Sequence, residues 1–151
     1  PNIPNLQTAI IYSGMCLIEG TNVSEGRGTH KPYKWIGAPW INGRNLSRTL
    51  NKFNLPGVVF APISFTPLSI SGVAVKPKYE NQKCNDIEVR ILERNVYRRV
   101  DIGVITLFTL FNLYPAEFKL LEKQLNRLWG SNELYIGIKN GNSPLNFIQT
   151  Y

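Results

Sequence analysis

The residues in this chain best suited to chemistry are concentrated between Glu19 and Trp40, in the stretch EGTNVSEGRGTHKPYKWIGAPW. Its first eleven residues contain two carboxylates (Glu19, Glu25), one guanidinium (Arg27), one amide (Asn22), three hydroxyls (Thr21, Ser24, Thr29) and three glycines. Such a mixture can cradle a polar ligand with donors and acceptors from side chains and main chain alike, and glycines let the backbone approach closely. A purely structural account competes with it: Glu19 closes a helix, Glu25 pairs with Arg27 at the surface, and the glycines make turns.

Several chemistries are disfavoured by what accompanies these residues. Gly26-Arg27-Gly28-Thr29 is followed by no Gly-Lys-Ser/Thr and is not GxGxxG, so neither phosphate-loop pattern is met. His30 is the single histidine, stands beside Lys31, and no GxSxG occurs, which argues against a Ser-His-acid triad. Cys16 and Cys84 lack CxxC spacing, and with one histidine they cannot complete a zinc set. They read as buried or incidental thiols, and neither a metal nor another cofactor is expected.

The elements that must position the stretch follow from composition and periodicity. A chain of 151 residues, 43% hydrophobic and 18% charged, suits one compact domain that buries roughly two thirds of its unfolded surface without staples. Seventeen aromatic residues exclude disorder. The longest apolar run, Val104 to Leu113, is broken by Thr106, Thr109 and Asn112 and falls short of the roughly 20 residues a bilayer requires, so no membrane span is expected. Seventeen Lys and Arg against ten Asp and Glu give +7, which admits an anionic partner. Arg98-Arg99 is the only adjacent basic pair, however, and nucleic acid is not expected.

Periodicity predicts a helix over 6–18 ended by Glu19-Gly20, a loop over 21–34, a short strand over 33–38 and a helix over 45–53. A strand over 57–66 follows, with Pro62 implying an edge position or a bulge, then a half-buried strand over 87–92 with Ile87, Val89 and Ile91 alternating against Glu88 and Arg90. Next come an apolar helix over 100–113 and a helix over 116–129 that carries Phe118, Leu121, Leu125 and Leu128 on one face and is capped by Gly130. Ser131 opens a short helical piece to Lys139, and Ser143-Pro144 starts a last helix near the end of the chain. The predicted class is α+β, a single mixed domain with helices packed on a small sheet. The opening Pro-Asn-Ile-Pro carries no signal peptide, and with the late helix start it suggests a piece of a longer protein.

The motifs also resemble a known family. Pro1-Asn2-Ile3-Pro4, Cys16-Leu17-Ile18-Glu19-Gly20-Thr21-Asn22 running into Ser24-Glu25-Gly26-Arg27-Gly28-Thr29, and Ile36-Gly37-Ala38-Pro39-Trp40 are similar to the signature of the exo-β-N-acetylmuramidases of the NamZ type, long catalogued as a domain of unknown function. The resemblance continues in order through Phe60-Ala61-Pro62, Phe65-Thr66-Pro67, Lys83-Cys84, Tyr114-Pro115 with Phe118, and Leu128 before Gly130. Ser13-Gly14-Met15-Cys16 stands where family members more often read Pro-Gly-Thr-Cys.

The resemblance implies that residues 1–151 form the C-terminal lobe of a two-lobed protein. An N-terminal Rossmann-like lobe and the extreme C-terminus would lie outside this chain, and the ligand cleft would lie between the lobes. It implies an enzyme that releases terminal N-acetylmuramic acid from peptidoglycan fragments in the bacterial cell envelope or outside the cell, in the periplasm of a Gram-negative organism. Its partners would be that sugar substrate and the N-terminal lobe of the same protein.

Glycoside hydrolysis uses two carboxyl groups, about 5 Å apart for retention or roughly 6.5 to 9.5 Å for inversion. Glu19 and Glu25 are the best-placed candidates here, unless one partner lies in the other lobe. Arg27 suits the lactyl carboxylate of muramic acid, while Asn22, Ser24 and Thr29 would hold hydroxyl or acetamido groups. Trp40 either stacks on a sugar face or packs behind the loop; Trp35 and Trp129 are assigned to packing. The rival class is a non-catalytic binding or interaction module, a basic domain that grips cell-wall glycan or an acidic partner. Either way, Glu19, Glu25, Arg27 and Thr29 are expected on one exposed concave face.

Overall fold

The computed structural model describes residues 3–150; Pro1 and Asn2 of the opening motif, and Tyr151, lie outside the described residues. Helix α1 (Leu6–Met15) starts at Asn5, whose side chain accepts from the Thr8 N–H at 2.9 Å, and tightens into a 3₁₀ turn over Cys16–Gly20. The predicted 6–18 helix is therefore two pieces, and Glu19 sits in the 3₁₀ turn, where the chain changes direction.

Three antiparallel strands, β1 (Trp35–Ala38), β2 (Val58–Phe65) and β3 (Cys84–Ile91), form a sheet of order β1-β3-β2. Pro62 stands opposite Ile87 in the β2–β3 register. With β2 on the edge, its missing N–H leaves no neighbouring strand unpaired. Helix α2 (Gly43–Asn51) lies between β1 and β2 in sequence, and its Asn51 amide satisfies both the N–H and the C=O of Phe60 at 2.9 Å on that edge.

One sheet face, with Ile36, Ala38, Phe60, Ile87 and Val89, belongs to the apolar core. The core closes around α3 (Arg99–Leu113), which is buried without interruption from Ile102 to Leu110. An all-round apolar helix of this kind is stable only with neighbours on every side, and α1, α2, α5 (Glu133–Lys139) and α6 (Pro144–Ile148) supply them. Among the described residues, six α-helices on a small antiparallel sheet make the α+β domain expected.

Two local expectations change. The 116–129 helix begins only at Glu122, as α4 (Glu122–Trp129). The backbone before it pairs with the candidate loop instead: Asn22 N–H donates to Lys119 O at 3.1 Å and Leu121 N–H to Gly20 O at 2.8 Å. Gly130 caps α4 as expected, at φ 93°. Glu88, placed by alternation on the open face of its strand, is buried, because residues 21–34 and 66–82 fold over that second face.

Candidate functional site

The 3₁₀ turn and the loop after it bring Glu19, Glu25 and Arg27 together. Arg27 Nη2 donates to the Tyr33 hydroxyl at 2.7 Å and lies 3.2 Å from Glu19 Oε1, while Arg27 Nε forms an ion pair with Glu25 Oε1 at 3.2 Å. Tyr33 in turn donates its hydroxyl proton to Glu19 Oε1 at 2.8 Å. One guanidinium therefore fixes both carboxylates, and one phenol closes the ring between Arg27 and Glu19. Lys78, from the loop covering this face, donates to Glu25 Oε2 and to Val23 O, both at 3.0 Å.

The expected exposed face is mostly covered. Ser24 and Glu25 are buried, whereas the Glu19 side chain keeps 20% of its surface open and that of Arg27 35%. A buried carboxylate is tolerated when it is paired and hydrogen-bonded, and Glu25 meets that condition with two cations. Burial works against the charge on Arg27, yet Tyr33, Glu19 and Glu25 more than reverse it and raise its pKa. Burial, and then the bond to Glu19, push the Tyr33 hydroxyl up, so it stays a proton donor.

Backbone geometry explains how the ring is held. Gly26 and Gly28 lie at φ 75° and 80°, a region open to glycine. Tyr33 is also left-handed, at φ 63°, an outlier for a bulky residue that costs on the order of 1–3 kcal/mol. Its compensation is visible: the Tyr33 N–H donates to Glu25 O at 2.6 Å, and its ring packs edge-on to Tyr12 with centroids 4.8 Å apart. Ser24 and Gly37 exchange two backbone hydrogen bonds of 2.8 and 3.0 Å, tying the loop to the free edge of β1.

The remaining predicted residues are near but engaged with the chain itself. Asn22 donates to Glu117 O and accepts from Lys119 N–H, each at 2.8 Å. Ser24 Oγ accepts from Gly26 N–H at 3.2 Å, and Thr29 Oγ1 donates to Gly26 O at 2.7 Å. These three shape the loop with their hydrogen bonds. Trp40 donates its indole N–H to Tyr79 at 3.1 Å and meets Tyr114 edge-on at 5.4 Å. It is linked to the cluster through the Lys78-Tyr79 pair. Trp35, assigned to packing, stacks on Phe65 at 5.7 Å.

A second ionic group lies further along the same sheet face. Glu88 accepts from Lys31 at 2.8 Å and from Arg90 at 2.7 Å. Burial alone would raise its pKa; these two bonds reverse that and hold it at about 2.

The family model described as exo-beta-N-acetylmuramidase NamZ, C-terminal, matches residues 10–151. The chain belongs to this family. It is 37% identical over 152 residues to the peptidoglycan beta-N-acetylmuramidase NamZ of Bacillus subtilis (strain 168), a match covering 100% of this chain and 35% of that protein. A crystal structure of a DUF1343 family protein from Bacteroides fragilis NCTC 9343 superposes with a TM-score of 0.81 at 21% identity, over 95% of this chain and 37% of that one. A second DUF1343 protein of the same organism gives 0.64 at 26%, over 97% and 36%. The NamZ-family domain described here thus spans about a third of the length of these relatives.

Two members of this candidate cluster, Tyr33 and Lys78, escape a reading of the sequence. Tyr33 carries a faint signal, as the aromatic that closes the polar loop. Lys78 carries none, being brought 53 residues along the chain to Glu25 by the covering loop. Among the described residues, no helix is long and apolar enough to cross a membrane.

Proposed function

We propose that this domain is the C-terminal lobe of a two-lobed glycoside hydrolase of the bacterial cell envelope, one that removes terminal N-acetylmuramic acid from peptidoglycan fragments. The preceding lobe supplies the opposite wall of the cleft. The observation that carries this reading is the ring Glu19–Tyr33–Arg27–Glu25, in which one guanidinium holds two carboxylates and one of those carboxylates stays open.

In this reading Glu19 is the carboxylate that meets the sugar, because it is the more exposed of the two and its remaining oxygen faces fewer partners. Glu25, clamped by Arg27 and Lys78, is the second carboxyl of the pair, and its burial suits it to positioning Arg27. With Nη2 bonded to Tyr33 and Nε paired ionically with Glu25, Arg27 offers Nη1 to the lactyl carboxylate, a charge-assisted contact. Trp40 borders the site through Tyr79, and the loop shaped by Asn22, Ser24 and Thr29 presents the donors. Tyr33 keeps its proton and holds Glu19 in one orientation, so little reorganisation is needed when charge develops.

The test is release of N-acetylmuramic acid from a chromogenic muramoside. The complete two-lobed protein is expected to be active, its Glu19→Gln variant to lose at least a hundredfold in kcat, and residues 1–151 alone to be inactive, because a cleft needs both walls to orient the sugar. Unchanged activity in Glu19→Gln overturns the assignment of Glu19. Muropeptide binding without turnover by the complete protein would favour the rival reading of a glycan-binding module.

A further inference from the structure

The covering loop carries a feature that the candidate site does not use. Between Leu68 and Val75 four large aliphatic side chains stand in solvent: Leu68 is 52% exposed, Ile70 37%, Val73 44% and Val75 74%. Solitary exposed aliphatics are ordinary, but four on one turn form the kind of patch that marks an interaction site.

This turn is a finished hairpin. Ile70 and Ala74 form an antiparallel bridge, with Ile70 N–H to Ala74 O at 2.8 Å and Ala74 N–H to Ile70 O at 2.9 Å. Gly72 supplies the turn at φ 72°, and Ser69 Oγ accepts from Lys76 N–H at 3.1 Å. With its backbone satisfied, the hairpin presents its side chains at little further ordering cost. Beside it lies a groove of about 310 Å³ walled by the stacked Trp35 and Phe65 and reaching Gly28 and Thr29.

The base of the hairpin is fastened to the candidate site. Leu68 N–H donates to Gly28 O at 3.0 Å, and a side chain at position 28 would strike Leu68 O. Whatever covers the hairpin therefore comes to rest beside Gly28, the residue after Arg27.

We infer that the hairpin at residues 68–75, with the Trp35–Phe65 groove, is the docking surface for the preceding part of the same polypeptide. This inference rests on the reading of the domain as one lobe of a larger enzyme. The family model is that of a C-terminal part, and this chain covers 35% to 37% of its relatives, so most of their polypeptide precedes the matched region. A tethered partner needs only a small patch, because the linker supplies the effective concentration, whereas a free partner needs about 800 Å² a side. A second copy is disfavoured by charge: exposed Lys76 and Lys83 flank the loop, and a two-fold contact would set like charges against each other. Docking here brings the partner up to Gly28 and Thr29, in the loop that carries Arg27, and ligand clefts commonly form at such junctions.

Thiol labelling of the complete protein tests this. Val75→Cys and, separately, Val73→Cys are compared with Asn140→Cys on the exposed C-cap of α5, with the wild type correcting for Cys16 and Cys84. Maleimide should react at least tenfold more slowly at 75 and 73 than at 140, independently of protein concentration. Equal rates overturn the proposal. So does protection lost on dilution, which would indicate a second copy, or protection that needs added muropeptide, which would indicate a ligand surface. Because labelling does not depend on turnover, protected hairpin cysteines in a protein without muramidase activity would refute the proposed reaction and leave the docking surface standing.

Discussion

Asp86 offers the sharpest test of the packing, because it is a carboxyl with no exposed surface in the central strand and neither of its oxygens has a hydrogen-bond partner among the described residues. Its space comes from Gly37, directly across the β1–β3 ladder, where any side chain would collide with the carboxyl. Burial raises its pKa to about 9; the nearest backbone donor, the Ala38 N–H, falls short of hydrogen-bonding geometry and offsets the burial only in part. In the unfolded chain the group titrates near 4, so between pH 4 and 9 the folded state holds one more proton than the unfolded state. Stability from this group is fully present below pH 4 and falls as pH rises, by at most about 1.4 kcal/mol per pH unit, until it levels off above pH 9.

Asp86→Asn keeps the shape and removes the titration. Between pH 5 and pH 8 the wild type should therefore lose on the order of 2–4 kcal/mol relative to Asp86→Asn, a large share of a typical domain's stability. Glu88, held at about 2, has the opposite sign but titrates below this window. Urea denaturation of both proteins at pH 5, 6.5 and 8 gives the comparison directly. Parallel pH profiles would refute the reasoning, because they would mean that Asp86 is ionised and paired in the fold.

Three further outcomes follow from the contacts. Tyr33→Phe keeps the ring against Tyr12 but removes the hydroxyl between Arg27 and Glu19; kcat of the complete protein should fall at least tenfold, with a stability loss of about 1–3 kcal/mol by thermal melting. Arg27→Lys, which keeps charge without the planar fork, should lower kcat/KM on a chromogenic muramoside far more than on the matching glucosaminide; equal losses would mean that Arg27 only braces Glu19 and Glu25. Gly37→Ala drives a methyl into the Asp86 carboxyl and should destabilise by about 1–3 kcal/mol, with partial recovery in Gly37→Ala/Asp86→Ala if that contact is the cause.

The sequence by itself determined whatever depends on short spacing. Gly130 and Ser143-Pro144 set helix ends through backbone groups within one turn, Pro62 marked an edge position or a bulge, and the density of polar residues from Glu19 to Thr29 located the loop that gathers two carboxylates on one guanidinium. Only the tertiary structure decided the rest, because those outcomes depend on residues far apart in the chain. The stretch 116–121 has helical periodicity, yet its backbone pairs with residues 20–22, a gain available only once the loop is in place. Glu88 and Asp86 sit in a strand whose alternation reads as half-open, but loops from 21–34 and 66–82 close that face; one carboxylate is then held ionised by Lys31 and Arg90, and the other is left to keep its proton. Lys78 and the phenol of Tyr33 enter the site for the same reason. A buried charge must find partners wherever the fold brings them, and spacing along the chain carries no record of that.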